Sequence, residues 1–197
     1  MADIVAWSGG MDSTLCLFDM ATQNPKKMIT AVTVTGIGFG KHQQRSETLA
    51  RKKIKKELKK RKLNNIQYYD VNVDSGFRSD GHQMKLWLSY VAPSLDNKDN
   101  LLMSYLSSDG SDFFDDKAKM EKAFKALMRF RGIKADLSFP YQHWTKGGVI
   151  KELKKNKLIK LTSYCGDPKK NLKPCGKCMK CMSVKRWTKF GDKGKST

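Results

Sequence analysis

Seven consecutive residues near the amino terminus combine glycines, hydroxyls and a carboxylate in a spacing that suits phosphate binding. They are Ser8-Gly9-Gly10-Met11-Asp12-Ser13-Thr14. The two glycines lack a Cβ, so their backbone can take positive φ angles and approach a ligand closely. The N–H groups at the start of a following helix attract anions, and three hydroxyls add further donors. Asp12 would repel a phosphate unless a cation lay between them, so we interpret it as a ligand of Mg²⁺ beside a bound polyphosphate.

The segments on either side of this loop predict a buried strand and a helix. The mostly apolar residues 3–6 come shortly before it, and the apolar positions of residues 15–21 suit a helix that packs on a sheet. No Gly-Lys-Ser/Thr follows the glycines, so the loop is not a Walker loop. An ordinary glycine–serine turn with Asp12 as a helix cap is the alternative interpretation.

Four of the five cysteines form a second group, near the carboxyl end of the chain. Cys165, Cys175, Cys178 and Cys181 have the spacing Cys-x9-Cys-x2-Cys-x2-Cys, which lets successive thiolates reach one tetrahedral ion. In a cytosolic protein such a group indicates a metal before a disulfide. Four sulfur ligands describe a closed, structural Zn²⁺ site, while an iron–sulfur cluster needs the same ligands and stays open as an alternative. The fifth cysteine, Cys16, is predicted to lie in the core.

Length, hydropathy and charge limit the class of protein. The 197 residues are enough for one domain with a sizeable core. The sequence has no apolar run long enough to span a membrane and no signal-peptide pattern, so we expect a soluble, cytoplasmic protein without a membrane partner. The formal charge of +20 comes from 39 Lys and Arg against 19 Asp and Glu. Such a charge fits a polyanionic partner, but it also fits lysine-rich helix faces in water.

An alternation of strands and helices follows the loop and must position these groups. Strands are predicted at 28–35, 66–73, 101–106 and 135–139, and helices at 47–62, 84–91, 117–130 and 145–155. This order predicts a parallel sheet with right-handed crossovers. The loops that leave the second and fourth strands, at 36–40 and 107–114, lie at the carboxyl edge of such a sheet, where ligands bind.

The loop and the cysteines together resemble the motifs of one family. The loop has every fixed position of the PP-loop of the adenine-nucleotide α-hydrolases, Ser-Gly-Gly-x-Asp-Ser-Thr. With the cysteine spacing, it resembles 7-cyano-7-deazaguanine synthase (QueC). The resemblance implies an α/β, Rossmann-like parallel sheet with helices on both faces and a C-terminal zinc-binding segment. The corresponding division is 1–162 for the nucleotide-binding domain, 163–190 for the zinc-binding segment and 191–197 for a disordered tail.

The resemblance also implies roles for individual residues. Asp12, Ser13 and Lys146 would be catalytic, with Lys146 close to the α-phosphate. Glu47, Asp112 and Phe113 would bind the substrate, Asp112 through the nitrogens of a base and Phe113 by stacking. The residues that would bind ATP are Ser8, Gly9, Gly10, Asp12, Ser13 and Thr14. The metal ligands would be Cys165, Cys175, Cys178 and Cys181.

The implied activity converts 7-carboxy-7-deazaguanine and ammonia to 7-cyano-7-deazaguanine (preQ0), using ATP and Mg²⁺ and passing through adenylylated intermediates. The product would serve the biosynthesis of a deazaguanine nucleoside, in queuosine or in modified DNA. The alternatives are a relative that stops at 7-amido-7-deazaguanine, a PP-loop enzyme that modifies tRNA, and a zinc-ribbon protein that binds nucleic acid. The resemblance further implies a homodimer; nucleic acid is a partner that the charge allows but the activity does not require.

Overall fold

Five parallel strands form one sheet in the part of the chain that the structure, a computed structural model, describes: residues 2–35, 40–73, 83–106 and 113–190. The strands are β1 (Asp3–Ala6), β2 (Ile29–Thr35), β3 (Ile66–Asn72), β4 (Asn100–Leu102) and β5 (Asp136–Ser138). The helices are α1 (Met11–Gln23), α2 (Lys41–Lys60), α3 (Gln83–Tyr90), α4 (Phe113–Phe130), α5 (Lys146–Lys155) and α6 (Met179–Phe190).

The strand order β3-β2-β1-β4-β5 places β1 at the centre of the sheet. Asp3 is in register with Ile29 of β2 on one side and with Asn100 of β4 on the other. The chain therefore builds outward from β1 in one direction, through β2 and β3, and then in the other, through β4 and β5. This reversal of strand order next to β1 leaves a crevice at the carboxyl ends of β1 and β4.

Helices cover both faces of the sheet. Successive residues of β1 point to opposite faces, so each contacts a different set of helices. Val5 belongs to an apolar cluster with buried residues of α1, α2 and α5. Ile4 and Ala6 belong to a second cluster, which includes buried residues of α3 and α4. The predicted fold class, a Rossmann-like parallel α/β sheet with helices on both faces, is confirmed. Cys16 lies in the first of these clusters, as predicted, and is 1% exposed.

The last two strands are shorter than the sequence predicts. Residues 101–106 were expected to form one strand, yet β4 ends at Leu102, which pairs with Val5. β1 turns into the loop just beyond this point, so residues after Leu102 have no partner on that side. β5 covers Asp136–Ser138 rather than 135–139, and Pro140, which lacks an N–H donor, follows shortly after it.

Three helices begin several residues earlier than their apolar periodicity predicts, and the first of them is α1, which starts at Met11 rather than at residue 15. Ala50, Ile54 and Leu58 form a buried apolar stripe on α2, but the helix starts at Lys41 rather than at Glu47. Its first turns bury a polar side chain, Gln43, which a search for apolar periodicity does not detect. α4 likewise starts at Phe113, four residues before the predicted start.

The carboxyl-terminal segment packs on the sheet domain through α6. Val184 and Trp187 contact the apolar cluster formed with α1, α2 and α5. The proposed division after residue 162 stays a prediction, and residues 191–197, predicted as a disordered tail, lie outside the described residues. Among the helices described, none combines the length and the apolar character that crossing a membrane requires.

Candidate functional site

A cavity of about 570 Å³ opens at the carboxyl edge of the sheet, beside the ends of β1 and β4. It therefore occupies the crevice where the strand order reverses, the usual ligand site of open α/β sheets. The amino-terminal loop, the chain that leaves β4, two helix starts and the cysteine segment enclose it. The lining residues include Ser8, Gly10, Asp12, Ser13, Glu47, Trp87, Met103, Tyr105, Lys146, Ser163, Tyr164, Cys165 and Lys180.

The two glycines of the loop serve different purposes. Gly9 has a φ of +85°, the positive value that the sequence predicts, whereas Gly10 has a φ of −72° and caps α1. A Cβ on Gly9 would lie 2.8 Å from Cγ of Arg51 and 3.2 Å from the carbonyl oxygen of Glu47, so α2 also passes too close for any side chain. Gly10 offers α1 no side-chain cap, and the first-turn N–H groups have no partner within the helix.

Two hydroxyls of the loop line the cavity, and the third is buried in the core. Ser8 and Ser13 line the cavity and contact each other, with 3.1 Å between their Oγ atoms. The hydroxyl of Ser8 also accepts a hydrogen bond from the Gly10 N–H at 3.2 Å. Thr14 is completely buried, and its hydroxyl oxygen accepts a hydrogen bond from Nε1 of Trp7 at 3.2 Å. Thr14 thus holds the loop to the core and lies away from the cavity.

Asp12 and Lys146, far apart in sequence, meet across the first turn of α1. Nζ of Lys146 lies 2.7 Å from Oδ2 and 3.0 Å from Oδ1 of Asp12. The Asp12 side chain is only 23% exposed and the Lys146 side chain 12%, so water screens this ion pair weakly. Thr145 caps α5 by accepting a hydrogen bond from the Gly148 N–H, and this cap fixes the helix start that carries Lys146.

Glu47 lies on the wall of the cavity, in the second turn of α2. Its Oε1 accepts a hydrogen bond from Nε2 of Gln43 at 3.0 Å. Burial raises the pKa of the Glu47 carboxyl above its ordinary value, although the bond from Gln43 and the charges of Arg51 and Lys180 act in the opposite direction. Glu47 is therefore a half-buried acceptor with two cations nearby, placed to bind a polar group of a ligand.

The four cysteines that the spacing singles out come together in the structure. Their sulfur atoms all lie within 4.8 Å of one another. Two of the separations, Cys165 to Cys178 and Cys175 to Cys181, are 3.9 Å. Backbone N–H groups point at the sulfurs, and those of Lys177 and Cys178 lower the pKa of the Cys175 thiol, whereas burial raises the pKa of the Cys165 and Cys181 thiols. The group has the ligands and the spacing to hold one metal ion.

The residue that connects the cysteine site to the loop was not identified from the sequence. Ser163 precedes Cys165 by two residues, and its N–H donates to the carbonyl oxygen of Gly9 at 3.0 Å. Its hydroxyl lies 3.0 Å from the hydroxyl of Ser46 on α2. Ser163 is 9% exposed. No local motif marks such a residue, because a backbone hydrogen bond places no demand on the side chain.

A second residue that the sequence analysis missed is Arg51, a buried arginine on the lysine-rich helix α2. It is 6% exposed, whereas most of the other cations of this helix are in water. The only signal in the sequence is its position next to Ala50 in the apolar stripe. Asp112 lies outside the described residues, and of Phe113 only the position at the start of α4 is described, so their predicted substrate contacts stay predictions.

Comparison with known proteins identifies no family. No protein-family model and no curated protein matches the chain. Among solved structures, the chain is similar to the U34-tRNA thiolase NcsA from Methanococcus maripaludis with its [4Fe-4S] cluster. The identity is 14% and the TM-score 0.39, over 100% of this chain and 83% of that chain. A likeness this distant identifies neither a family nor a function for this chain.

Proposed function

We propose that this protein is an ATP-using enzyme of the PP-loop kind, which transfers the adenylyl group of ATP to an oxygen of an acceptor and releases pyrophosphate. The observation that carries the proposal is the pair of Asp12 and Lys146 above the first turn of α1. It places a carboxylate and an ammonium at an anion-binding helix start, inside the crevice where the strand order reverses. An ordinary capped turn would need neither the cavity nor the lysine.

The residues of the loop suit the charge changes of adenylyl transfer. The first-turn N–H groups of α1 and the hydroxyls of Ser8 and Ser13 can donate to the β- and γ-phosphates, whose negative charge grows as pyrophosphate leaves. Asp12 would hold Mg²⁺, which supplies further positive charge to the leaving group. Lys146, which lines the same cavity, would donate to the α-phosphate while the acceptor oxygen attacks.

For the acceptor, we propose 7-carboxy-7-deazaguanine. Its carboxylate oxygen attacks the α-phosphorus of ATP, giving an acyl adenylate and pyrophosphate; ammonia then displaces AMP and forms the amide. A second ATP adenylylates the amide oxygen, and loss of AMP with a proton leaves the nitrile. Glu47 is the described residue best placed to accept a hydrogen bond from the base, since it lines the cavity beside the loop.

The spacing of the sulfurs supports Zn²⁺ at the cysteine site. With Zn–S bonds of about 2.3 Å, the edge of a tetrahedron of sulfurs is ~3.8 Å, and two of the observed separations are 3.9 Å. An iron–sulfur cluster places several iron atoms between its thiolates, which must then lie further apart. A single ion with four thiolate ligands has no open coordination position. A Zn²⁺ site of this kind would have a structural role and would hold no sulfur to transfer.

The decisive experiment is mass spectrometry of the products formed from 7-carboxy-7-deazaguanine, ATP, Mg²⁺ and ammonium. We expect the nitrile in the wild type and a loss of about 10²-fold in turnover for Lys146→Met, with partial recovery in Lys146→Arg. The matched control is Lys151→Met on the exposed face of the same helix. The amide alone would identify a one-step relative. If pyrophosphate is released only when tRNA is supplied as the acceptor, the result would support the second candidate below.

That second candidate is a PP-loop enzyme that adenylylates a base in tRNA, and the charge of the cysteine segment favours it. Residues 168–190 carry eight basic and no acidic side chains, and one of the eight, Lys180, lines the cavity. Binding of tRNA that persists at physiological salt would support this candidate; binding that disappears there would be non-specific.

A further inference from the structure

Arg51 contacts the amino-terminal loop from α2 and lines a smaller, separate cavity of about 300 Å³. Its Nη1 donates to the carbonyl oxygen of Ser8 at 3.1 Å, and its Nη2 donates to the hydroxyl of Thr48 at 3.0 Å. The side chain is 6% exposed on a helix whose other cations are mostly in water. Burial lowers the pKa of the guanidinium, which the charges of Glu47 and Asp70 partly offset. A buried arginine that donates to a neutral carbonyl requires an explanation.

The direction of one peptide group supplies that explanation. In a trans peptide the C=O and the following N–H point in opposite directions. Because the Ser8 carbonyl points at Arg51, the N–H of Gly9 must point away from α2 and toward the side of the loop that binds anions. A rotated Ser8–Gly9 peptide would instead direct a carbonyl oxygen at the phosphates and repel them.

The close fit of Arg51 and Gly9 supports the same interpretation. A Cβ on Gly9 would lie 2.8 Å from Cγ of Arg51, so the aliphatic stem of the arginine packs directly on the glycine backbone. The positive φ of Gly9, +85°, is thus stabilised from behind by packing and by a charge-assisted hydrogen bond.

We propose that Arg51 is a positioning residue for nucleotide binding, which holds the Ser8–Gly9 peptide with its N–H directed at the phosphates of ATP. The proposal rests on the function proposed above and adds a residue to its site. Arg51 does not touch the nucleotide; it acts through the loop. Removing it should therefore weaken the affinity for ATP more than it slows the chemical step.

The test compares Arg51→Met, which keeps the length of the side chain and removes the donors, with Arg51→Lys, which keeps the charge and one donor. Lys53→Met, an exposed cation on the same helix, is the control for the loss of charge. Affinity for a non-hydrolysable ATP analogue with Mg²⁺, KM and kcat for pyrophosphate release, and thermal unfolding are measured for each.

We expect Arg51→Met to raise the Kd for the analogue and the KM for ATP about tenfold, while kcat changes less and Lys53→Met matches the wild type. Arg51→Lys should lie between them. If Arg51→Met does not fold, Arg51→Lys decides alone, with a KM for ATP at least about threefold above the wild type. Wild-type KM and Kd in the folded variants would overturn the assignment of Arg51 and leave the proposed function standing. A wild type that does not bind the analogue would overturn both.

Discussion

The amino-terminal loop and the cysteine segment face each other across one cavity, yet they are held in place by different forces. The loop is fixed by the core: Trp7 and Leu15 on either side of it are completely buried, and Arg51 and Thr14 hold its backbone and side chains by hydrogen bonds. Residues 165–181 contain no strand and expose most of their side chains. We expect their arrangement to depend on the binding of one ion by the four sulfurs.

Because of this difference, we expect the loop to carry the groups that react with the ligand and the cysteine segment to shape the cavity around them. A loop that is held by the sheet can keep its shape without a ligand, so its polar groups are ready for phosphates. A segment that depends on a metal can order or disorder as a unit. Ser163 joins the two, because its N–H donates to Gly9 and it lies two residues from the first cysteine ligand. The predictions below test how far the two regions act independently.

The largest effect is expected from Asp12, on the loop side. Asp12→Ala should lower the rate of pyrophosphate release by about 10³-fold, because the cation that offsets the charge of the leaving group loses its ligand. The unfolding temperature should fall as well, because Lys146, which is 12% exposed, loses its ion-pair partner; turnover is therefore measured at a temperature where the variant is folded. Asp136→Ala, at an exposed position of β5, is the control. Undiminished turnover in Asp12→Ala would refute the assignment of the loop.

The corresponding change on the other side of the cavity is removal of the metal. We expect one Zn²⁺ per chain by elemental analysis, and a loss of it in Cys175→Ser or after chelation. The cysteine segment should then lose protection from proteolysis, while the sheet domain retains its helical circular dichroism. Through Ser163 and Gly9, the affinity for ATP should fall several-fold, and ATP should in turn slow the extraction of the metal.

A metal-free protein that binds ATP with unchanged affinity would show that the two regions are independent. Ser163→Ala separates the contributions, because it removes the contact with the hydroxyl of Ser46 and keeps the backbone bond to Gly9. We expect this variant to resemble the wild type in both metal content and nucleotide affinity. Iron in place of zinc would contradict the proposed structural ion.

A smaller effect is expected from Gly9→Ala, which tests the fit of the loop against α2. The substituted residue would combine a positive φ with a contact of 2.8 Å, so we expect a loss of about 1–3 kcal/mol in the free energy of unfolding. Gly132 also has a positive φ, +66°, but a Cβ there would meet nothing within 4 Å. Gly132→Ala therefore measures the cost of the backbone conformation alone, and chemical denaturation of both variants gives the contribution of the close fit.

The smallest effect concerns the pH dependence at Glu47. Burial raises the pKa of this carboxyl in the folded state, so the folded protein holds the proton to a higher pH than the unfolded chain. Stability is then lost as the pH rises from the ordinary pKa of a glutamate through the raised one. Glu47→Gln should be more stable than the wild type above that window and equal to it below, while its KM for the acceptor rises. Denaturation curves at several pH values distinguish these outcomes.

Much of this protein could be predicted from the sequence because the signals are local. The loop after β1 and the cysteine spacing are short segments in which residue type and distance along the chain already constrain the geometry. The parallel sheet with helices on both faces follows from the alternation of apolar strands and helices. The predicted end of β4 was wrong because a strand ends where its neighbour turns away. The predicted start of α2 was wrong because a helix can bury a polar residue such as Gln43.

Only the tertiary structure decided which distant residues meet. The resemblance placed Lys146 near the nucleotide, but its ion pair with Asp12 joins residues 134 positions apart, and nothing in either segment specifies the partner. The burial of Arg51 and the bond from Ser163 to Gly9 likewise depend on how α2 and the cysteine segment pack against the loop. Local sequence determines which groups each segment offers, whereas packing determines which of them share a site, because strand order and helix contacts are set by the whole core.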